Sequence, residues 1–289
     1  MGATDPPVLG AAPIPAGFDP EFLPGQRVEL PAPANAAVEK DLAPTKAAET
    51  VRNYTHFSLA MSASRRFCRW VAWNIDGNGL QQLSRTGLQF VVDKEYEAKY
   101  QVDDDLYRNN RLDRGHIARR ADLLWGTREE AEQANRDSFF FTNITPQVDD
   151  FNQSSAHGLW GEAENAIYEE VDVDDLRVSV VGGPIFKDTD FPYRETLVPR
   201  SFWKIVAYVE EEALKAKGYV LTQDDLESKL PSLGLEQFKL FQVPVGQVSE
   251  LTALDFGDLA QADAMTAGAA ALAGLQVRRI EARSQLAAG

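Results

Sequence analysis

Asp113-Arg114-Gly115-His116 is followed along the chain by Thr142-Asn143-Ile144-Thr145-Pro146-Gln147 and then by Asn152-Gln153. A histidine, an arginine and a side-chain amide in this order are what cutting a phosphodiester with one divalent metal requires. The histidine can take a proton from water, the arginine can hold a phosphate, and an amide oxygen is a neutral ligand for a hard cation. An unperturbed imidazole titrates near neutrality, so His116 can be neutral and ready to act as a base. Gly115 removes a side chain beside it, which lets the backbone turn tightly or approach a phosphate.

Around this stretch the chain is acidic overall and basic locally. Its 289 residues carry 29 Lys and Arg against 44 Asp and Glu, a net charge of -15. That balance argues against binding nucleic acid over the whole surface, but not against a local groove. From Leu106 to Arg120 there are five arginines (Arg108, Arg111, Arg114, Arg119 and Arg120) and one acid (Asp113), a net of +4. Arg108, Arg111, Arg119 and Arg120 are therefore expected to bind substrate around Arg114. Arg65, Arg66 and Arg69 form a second basic cluster.

Hydrophobic residues make up 44% of the chain, enough for a sizeable core. No run of about 18 apolar residues is present, so no transmembrane helix is expected, and no membrane partner. The first ten residues lack a basic start followed by an apolar stretch, which reads as cytoplasmic residence or export by a non-Sec route. The single cysteine, Cys68, excludes an internal disulfide and reads as a packing residue. His56 and His157 read as structural.

Residues 1–45 hold nine of the fifteen prolines, which denies them both helix and ladder hydrogen bonds and predicts an extended arm. Phe18, Phe22, Leu23 and Val28 would let that arm pack on the body. The main domain is expected over 46–260. Strands are expected from the alternating Tyr54–Leu59, from Trp70–Ile75 before the turn Asp76-Gly77-Asn78-Gly79, and at Phe139–Phe141, Val178–Val181 and Phe202–Val209. Ser154–Glu170 reads as a helix. Gln223–Leu230 and Gly234–Phe238 read as short helical or loop pieces, and the Ala-rich tail 261–289 as helical.

The order and spacing of Asp-Arg-Gly-His, Asn-Ile-Thr-Pro-Gln, Asn-Gln and a later Trp-x-x-x-Glu resemble the DNA/RNA non-specific endonucleases, of the ββα-metal fold. The resemblance covers about 54–259 and extends to Gly182-Gly183-Pro184-Ile185-Phe186 and Val198–Lys204, with Lys204 a candidate substrate contact. It implies an α+β fold with a mixed central β-sheet and a ββα-metal finger over about 112–170. It also implies an endonuclease acting on DNA and RNA, with His116 as general base, Arg114 on the phosphate and Asn143 in the catalytic set. Mg²⁺, with Mn²⁺ able to substitute, would be held by Asn152, the family's direct protein ligand. Trp160 and Glu164 match the family's Trp and Glu, and Glu164 would orient metal-bound water. Twelve residues separate Asn152 from Glu164 where some family members carry eight, so Glu162 competes for that role. Where shorter relatives have a further Asn, this chain has Phe139, whose carbonyl could still hold the His116 ring. A homodimer mate and an inhibitor or immunity protein are partners that such a domain can take. Two other readings stay open, a nucleic-acid- or partner-binding scaffold of the same fold and a phosphodiesterase for small substrates.

Overall fold

Trp70-Val71-Ala72-Trp73 is β-branched and aromatic, and a strand sends such residues alternately to opposite faces, so both faces of any sheet it joins must be covered. The computed structural model describes residues 17–110, 112–148, 177–222, 239–263, 265 and 278–280. In chain order its elements are β1 (Ala32–Pro33), α1 (Ala36–Lys40), β2 (Arg52–Tyr54), β3 (Phe57–Met61), β4 (Cys68–Asp76), β5 (Leu112–His116), α2 (Arg128–Asp137) and β6 (Ile144–Val148). Then follow β7 (Arg177–Ile185), β8 (Phe191–Tyr193), β9 (Thr196–Val198), β10 (Ser201–Glu210), β11 (Ala213–Thr222), β12 (Lys239–Val243), α3 (Val245–Thr252), β13 (Leu254–Asp255) and β14 (Arg278–Ile280).

Among the described residues one sheet runs β14-β12-β11-β10-β7-β4-β3-β2. On one face Phe57, Trp73, Val180, Phe202 and Leu221 pack with Ile117, Leu123 and Ala134. On the other, Trp70, Val181, Trp203 and Ile205 pack with Leu23, Val28, Val245, Val248 and Leu259. Each such side chain contributes roughly 1.5–3 kcal/mol on burial, so the two layers hold the sheet between them. The site lies on the first face.

The α+β expectation is met; the expectation of mixed strand directions is not. Every described pairing in the large sheet is antiparallel. Connection length accounts for β2–β3, β3–β4 and β10–β11, which join through turns too short for the crossover of a dozen or more residues that a parallel neighbour needs. Phe139–Phe141 is not a strand. Phe140 makes one isolated bridge to Val91 and Phe141 begins a 3-10 turn, while the rings of Phe139 and Phe141 are buried. Aromatic content there serves packing, not pairing. Within the tail read as helical, Arg278–Ile280 instead pair with β12. Of the stretch read as an arm, Phe18, Phe22, Leu23, Val28 and Val38 are buried on the second face and Ala43 on the first. Phe18 N donates to Ser58 Oγ at 2.8 Å, and Asp19 N to Asn74 Oδ1 at 2.7 Å. The short α1 interrupts this stretch, capped by Asn35 Oδ1 accepting from Val38 N at 2.9 Å.

Candidate active site

β5 and β6 form a separate antiparallel pair in which His116 faces Ile144, Gly115 faces Thr145, Arg114 faces Pro146 and Asp113 faces Gln147. The connection between them contains α2, which the sequence reading missed. Its signal is the capping box Thr127-x-x-Glu130, in which Glu130 Oε2 accepts from Thr127 N at 2.6 Å and Thr127 Oγ1 accepts from Glu130 N at 3.3 Å.

His116 ends β5. Its ring centroid is 5.6 Å from that of Phe90 and 5.4 Å from that of Phe139, the latter edge-on at 83°. The residue as a whole is half-buried, yet its Nε2 is enclosed and has no hydrogen-bond partner. Burial lowers the imidazole pKa to about 4, with smaller contributions from the positive charges of Arg120 and Arg85. The ring is therefore neutral at pH 7. The Phe139 carbonyl accepts from Val91 N at 3.1 Å and makes no bond to His116 Nε2.

A shifted imidazole has a measurable consequence. If neutral His116 is the base, kcat/KM stays level as pH falls through 6.5 and drops only near pH 4. A stopped pH–rate series checks this, and a limb at the ordinary histidine pKa would show that the imidazole is not shifted in the working enzyme. Stability follows the same sign. The unfolded chain takes the proton at an ordinary pKa near 6.5 and the folded chain at about 4. The His116 contribution is thus intact above about pH 6.5 and is lost as pH falls towards 4.

Asn143 is fully buried and spends its amide on the backbone that follows His116. Its Oδ1 accepts from Ala118 N at 2.9 Å, and its Nδ2 donates to Ala118 O at 3.1 Å and Ser138 O at 3.2 Å. It fixes the loop leaving β5. Gln147, quoted in the motif but given no role from sequence, is also fully buried, and neither its Nε2 nor its Oε1 has a partner.

The arginines divide. Arg114 donates to Asp104 Oδ1 from Nη2 at 2.7 Å and Nε at 3.1 Å, with its guanidinium 5.1 Å from the Tyr107 ring centre and 5.5 Å from that of Phe90. Arg108 is exposed and pairs with Asp105 at 2.9 Å. Arg120 is a tether rather than an open groove residue: Nε donates to Asn135 Oδ1 at 2.6 Å and Nη2 to the Leu83 carbonyl. Arg119 caps the same 3-10 turn, its carbonyl accepting from Asp122 N at 3.1 Å. The second cluster is built into the fold. Arg65 pairs with Asp190 and Arg69 with Asp41, both guanidiniums lie over the Phe186 ring, and Arg66 bonds the Gln101 carbonyl at 2.8 Å. Lys204 is 3% exposed and 5.1 Å from the Trp73 ring centre, so it belongs to the core and not to a substrate surface.

His56 and Cys68 are structural. His56 Nδ1 meets the Leu123 carbonyl at 2.8 Å and the ring stacks on Trp125 at 3.5 Å. Burial pushes the Cys68 thiol up to about 12, which leaves it unreactive. Arg111, Asn152, Gln153, His157, Trp160, Glu162 and Glu164, with the expected helix Ser154–Glu170, lie outside the described residues. No described helix is long and apolar enough to cross a membrane.

Buried polar groups are ordinarily hydrogen-bonded, and each one left open calls for an explanation. His116 Nε2 is such a group; Gln147 lies on the opposite face of the hairpin with Asp113 and Gly115, so its unpaired amide is turned away from His116. On the His116 face, a neutral base and the Arg114 guanidinium, both against Phe90, fit a phosphate with a hydrated cation.

The family model described as DNA/RNA non-specific endonuclease matches residues 34–263. An uncharacterized protein of Sinorhizobium fredii, y4fB, is 35% identical over 84% of this chain, which spans only 39% of that protein. A nuclease of Nostoc sp. is 27% identical over 69% of this chain and 70% of its own length. Mitochondrial endonuclease G of Bos taurus is 25% identical over 71% of this chain and 68% of its own. Among solved structures, the complex of EndoG with EndoGI, described as showing the mechanism of EndoG inhibition, superposes with a TM-score of 0.57 at 20% identity, over 73% of this chain and 86% of that one.

Proposed function

Because this chain belongs to the DNA/RNA non-specific endonuclease family, we propose that it hydrolyses phosphodiester bonds within DNA and RNA with His116 as the general base. The observation that carries the reading is the His116 imidazole itself: enclosed, unpaired at Nε2 and held neutral at pH 7 on the Asp-Arg-Gly-His strand. A neutral imidazole takes the proton of an attacking water. Arg114, fixed between two rings, offers a planar fork to the phosphate oxygens and the charge that grows on them. Asn143 keeps the backbone beyond His116 in place, so the base approaches from one direction. Asn152 would hold Mg²⁺, or Mn²⁺ in its stead, with Glu164 or Glu162 behind it, and the cation would supply Lewis-acid stabilisation of the leaving 3′-oxygen. The products would carry 5′-phosphates. Contacts to phosphate carry little sequence information, so cleavage would be non-specific. A protein seated over the β5–β6 hairpin would inhibit, and the EndoG/EndoGI complex supports that class of partner.

The test is nicking of supercoiled plasmid and of RNA with Mg²⁺ and with EDTA, on the wild type and on Asn152→Ala. Cleavage that needs the cation, and an Asn152→Ala variant that recovers in part at raised Mg²⁺, are expected. Undiminished cleavage in EDTA would sink the metal-dependent reading. Unchanged Mg²⁺ affinity in the variant would remove Asn152 from its role.

A further inference from the structure

Two arginines of the stretch that carries His116, Arg114 and Arg108, are already occupied. Asp103, Asp104 and Asp105 lie on a 3-10 turn that begins at Asp104, just before β5. Asp104 Oδ1 takes both Nη2 and Nε of Arg114, at 2.7 and 3.1 Å, in the forked approach that a phosphate oxygen would use. Asp105 takes Arg108 at 2.9 Å. The turn is anchored from beneath by buried Leu106 and Tyr107, and from the side by Arg194, whose guanidinium bonds the Asp105 carbonyl.

We propose that this acidic turn is an internal stand-in for substrate phosphate: Asp104 and Asp105 occupy Arg114 and Arg108 in the free protein, are displaced by phosphates on binding, and so set the affinity of the enzyme for nucleic acid. Two features favour displacement over a positioning role. Both pairs are open to solvent, with carboxylate exposures of 61% and 73%, and exposed pairs are weak enough for a phosphate to replace. Arg114 is also held without Asp104, between the rings of Tyr107 and Phe90, so it keeps its place when the carboxylate leaves. Arg114 in that state presents its fork to the phosphate. The inference rests on the nuclease reading and deepens it by naming what competes with substrate.

Asp104→Asn and Asp105→Asn test it without disturbing the turn, since the cap is Asp103, whose Oδ1 accepts from Asp105 N at 3.0 Å. The measurement is anisotropy of a fluorescein-labelled single-stranded DNA oligonucleotide titrated with the full chain in EDTA, over a range of salt. Each variant is expected to bind about threefold tighter, and the double variant about tenfold tighter, from loss of exposed competing pairs. The plot of log K against log salt should steepen by about one unit for each carboxylate removed. Asp258→Asn is the control. It is exposed, removes the same charge, and lies beside Leu259 on the opposite face of the sheet. Equal tightening by Asp258→Asn would make the effect one of net charge and overturn the proposal. Unchanged or weaker binding by Asp104→Asn would overturn it too, and would make Asp104 a positioning residue for Arg114. Wild-type cleavage separates the two readings. A chain that neither binds nor cuts overturns the nuclease assignment, whereas one that cuts but shows no gain in Asp104→Asn overturns the acidic turn alone.

Discussion

His116→Ala loses at least about a hundredfold in kcat/KM on plasmid DNA, the lower range for removal of a general base, and keeps its fold. A hundredfold loss is about 2.7 kcal/mol of transition-state stabilisation. The fold survives because two stability terms oppose each other. Truncation removes the edge-on contact with Phe139 and the tilted contact with Phe90. It also removes an enclosed Nε2 that has no partner, and an unsatisfied buried polar group costs roughly 1–3 kcal/mol. The net is small, so the melting temperature should move by only a few degrees while the rate collapses. Nicking assays beside a thermal melt check both halves. Retention of more than about a tenth of the wild-type rate would remove His116 from the role of base, given the size of general-base effects.

The parts of this fold that the sequence announces are those where one short-range signal dominates. β4, β7 and β10 are dense in aromatic and β-branched residues and were readable as strands. β11 was not. Ala213-Leu214-Lys215-Ala216-Lys217-Gly218 has weak strand propensity, and it is a strand because β10 pairs with it along its whole length, β12 joining only from Gly218. Its entry turn, Glu211-Glu212, has positive φ at both residues without a glycine or asparagine, so the usual hairpin signal is missing. Phe139–Phe141 errs the other way: aromatic content signals a strand where Phe139 packs edge-on to His116, Phe140 on Tyr54 and Phe141 on Phe90 and Tyr107.

The site shows the same division. That an imidazole and a guanidinium share one strand is legible in Asp-Arg-Gly-His, because it is local. The basic groove was overdrawn because a count along the chain cannot see partners. The window from Leu106 to Arg120 nets +4, but extending it back to Asp103 sets five arginines against four aspartates, a net of +1. Arg120 bonds Asn135, and in the second basic cluster Arg65 and Arg69 pair with Asp190 and Asp41, all contacts distant in sequence. Long-range pairing of this kind leaves no trace in a run of residues.

Gly115→Ala should cost both stability and activity, although the backbone there does not require glycine. Gly115 is not among the glycines with positive φ, and an alanine in an extended strand is ordinarily favoured by roughly 0.5–1 kcal/mol. What forbids it is Gln147. A Cβ at position 115 would stand 2.2 Å from Gln147 Cδ and Oε1 and 2.6 Å from its Cγ. Cγ is close to the β6 backbone and Gln147 is fully buried, so the amide cannot simply swing away. Overpacking of this kind costs about 1–3 kcal/mol, which exceeds the gain from alanine. At about 2–4 °C per kcal/mol for a chain of this size, the melt should fall by roughly 2–10 °C. Activity should fall further. His116 follows Gly115 directly, and a shift of about 1 Å in a catalytic group can cost a hundredfold. The double variant Gly115→Ala, Gln147→Ala separates the causes. Removing the Gln147 amide opens room for the new Cβ, so the melt should recover most of its loss. If Gly115→Ala alone melts and cuts like the wild type, the close approach of Gln147 is not a constraint on the hairpin. If the double variant stays as unstable as the single, the clash lies elsewhere and the account of Gly115 is wrong.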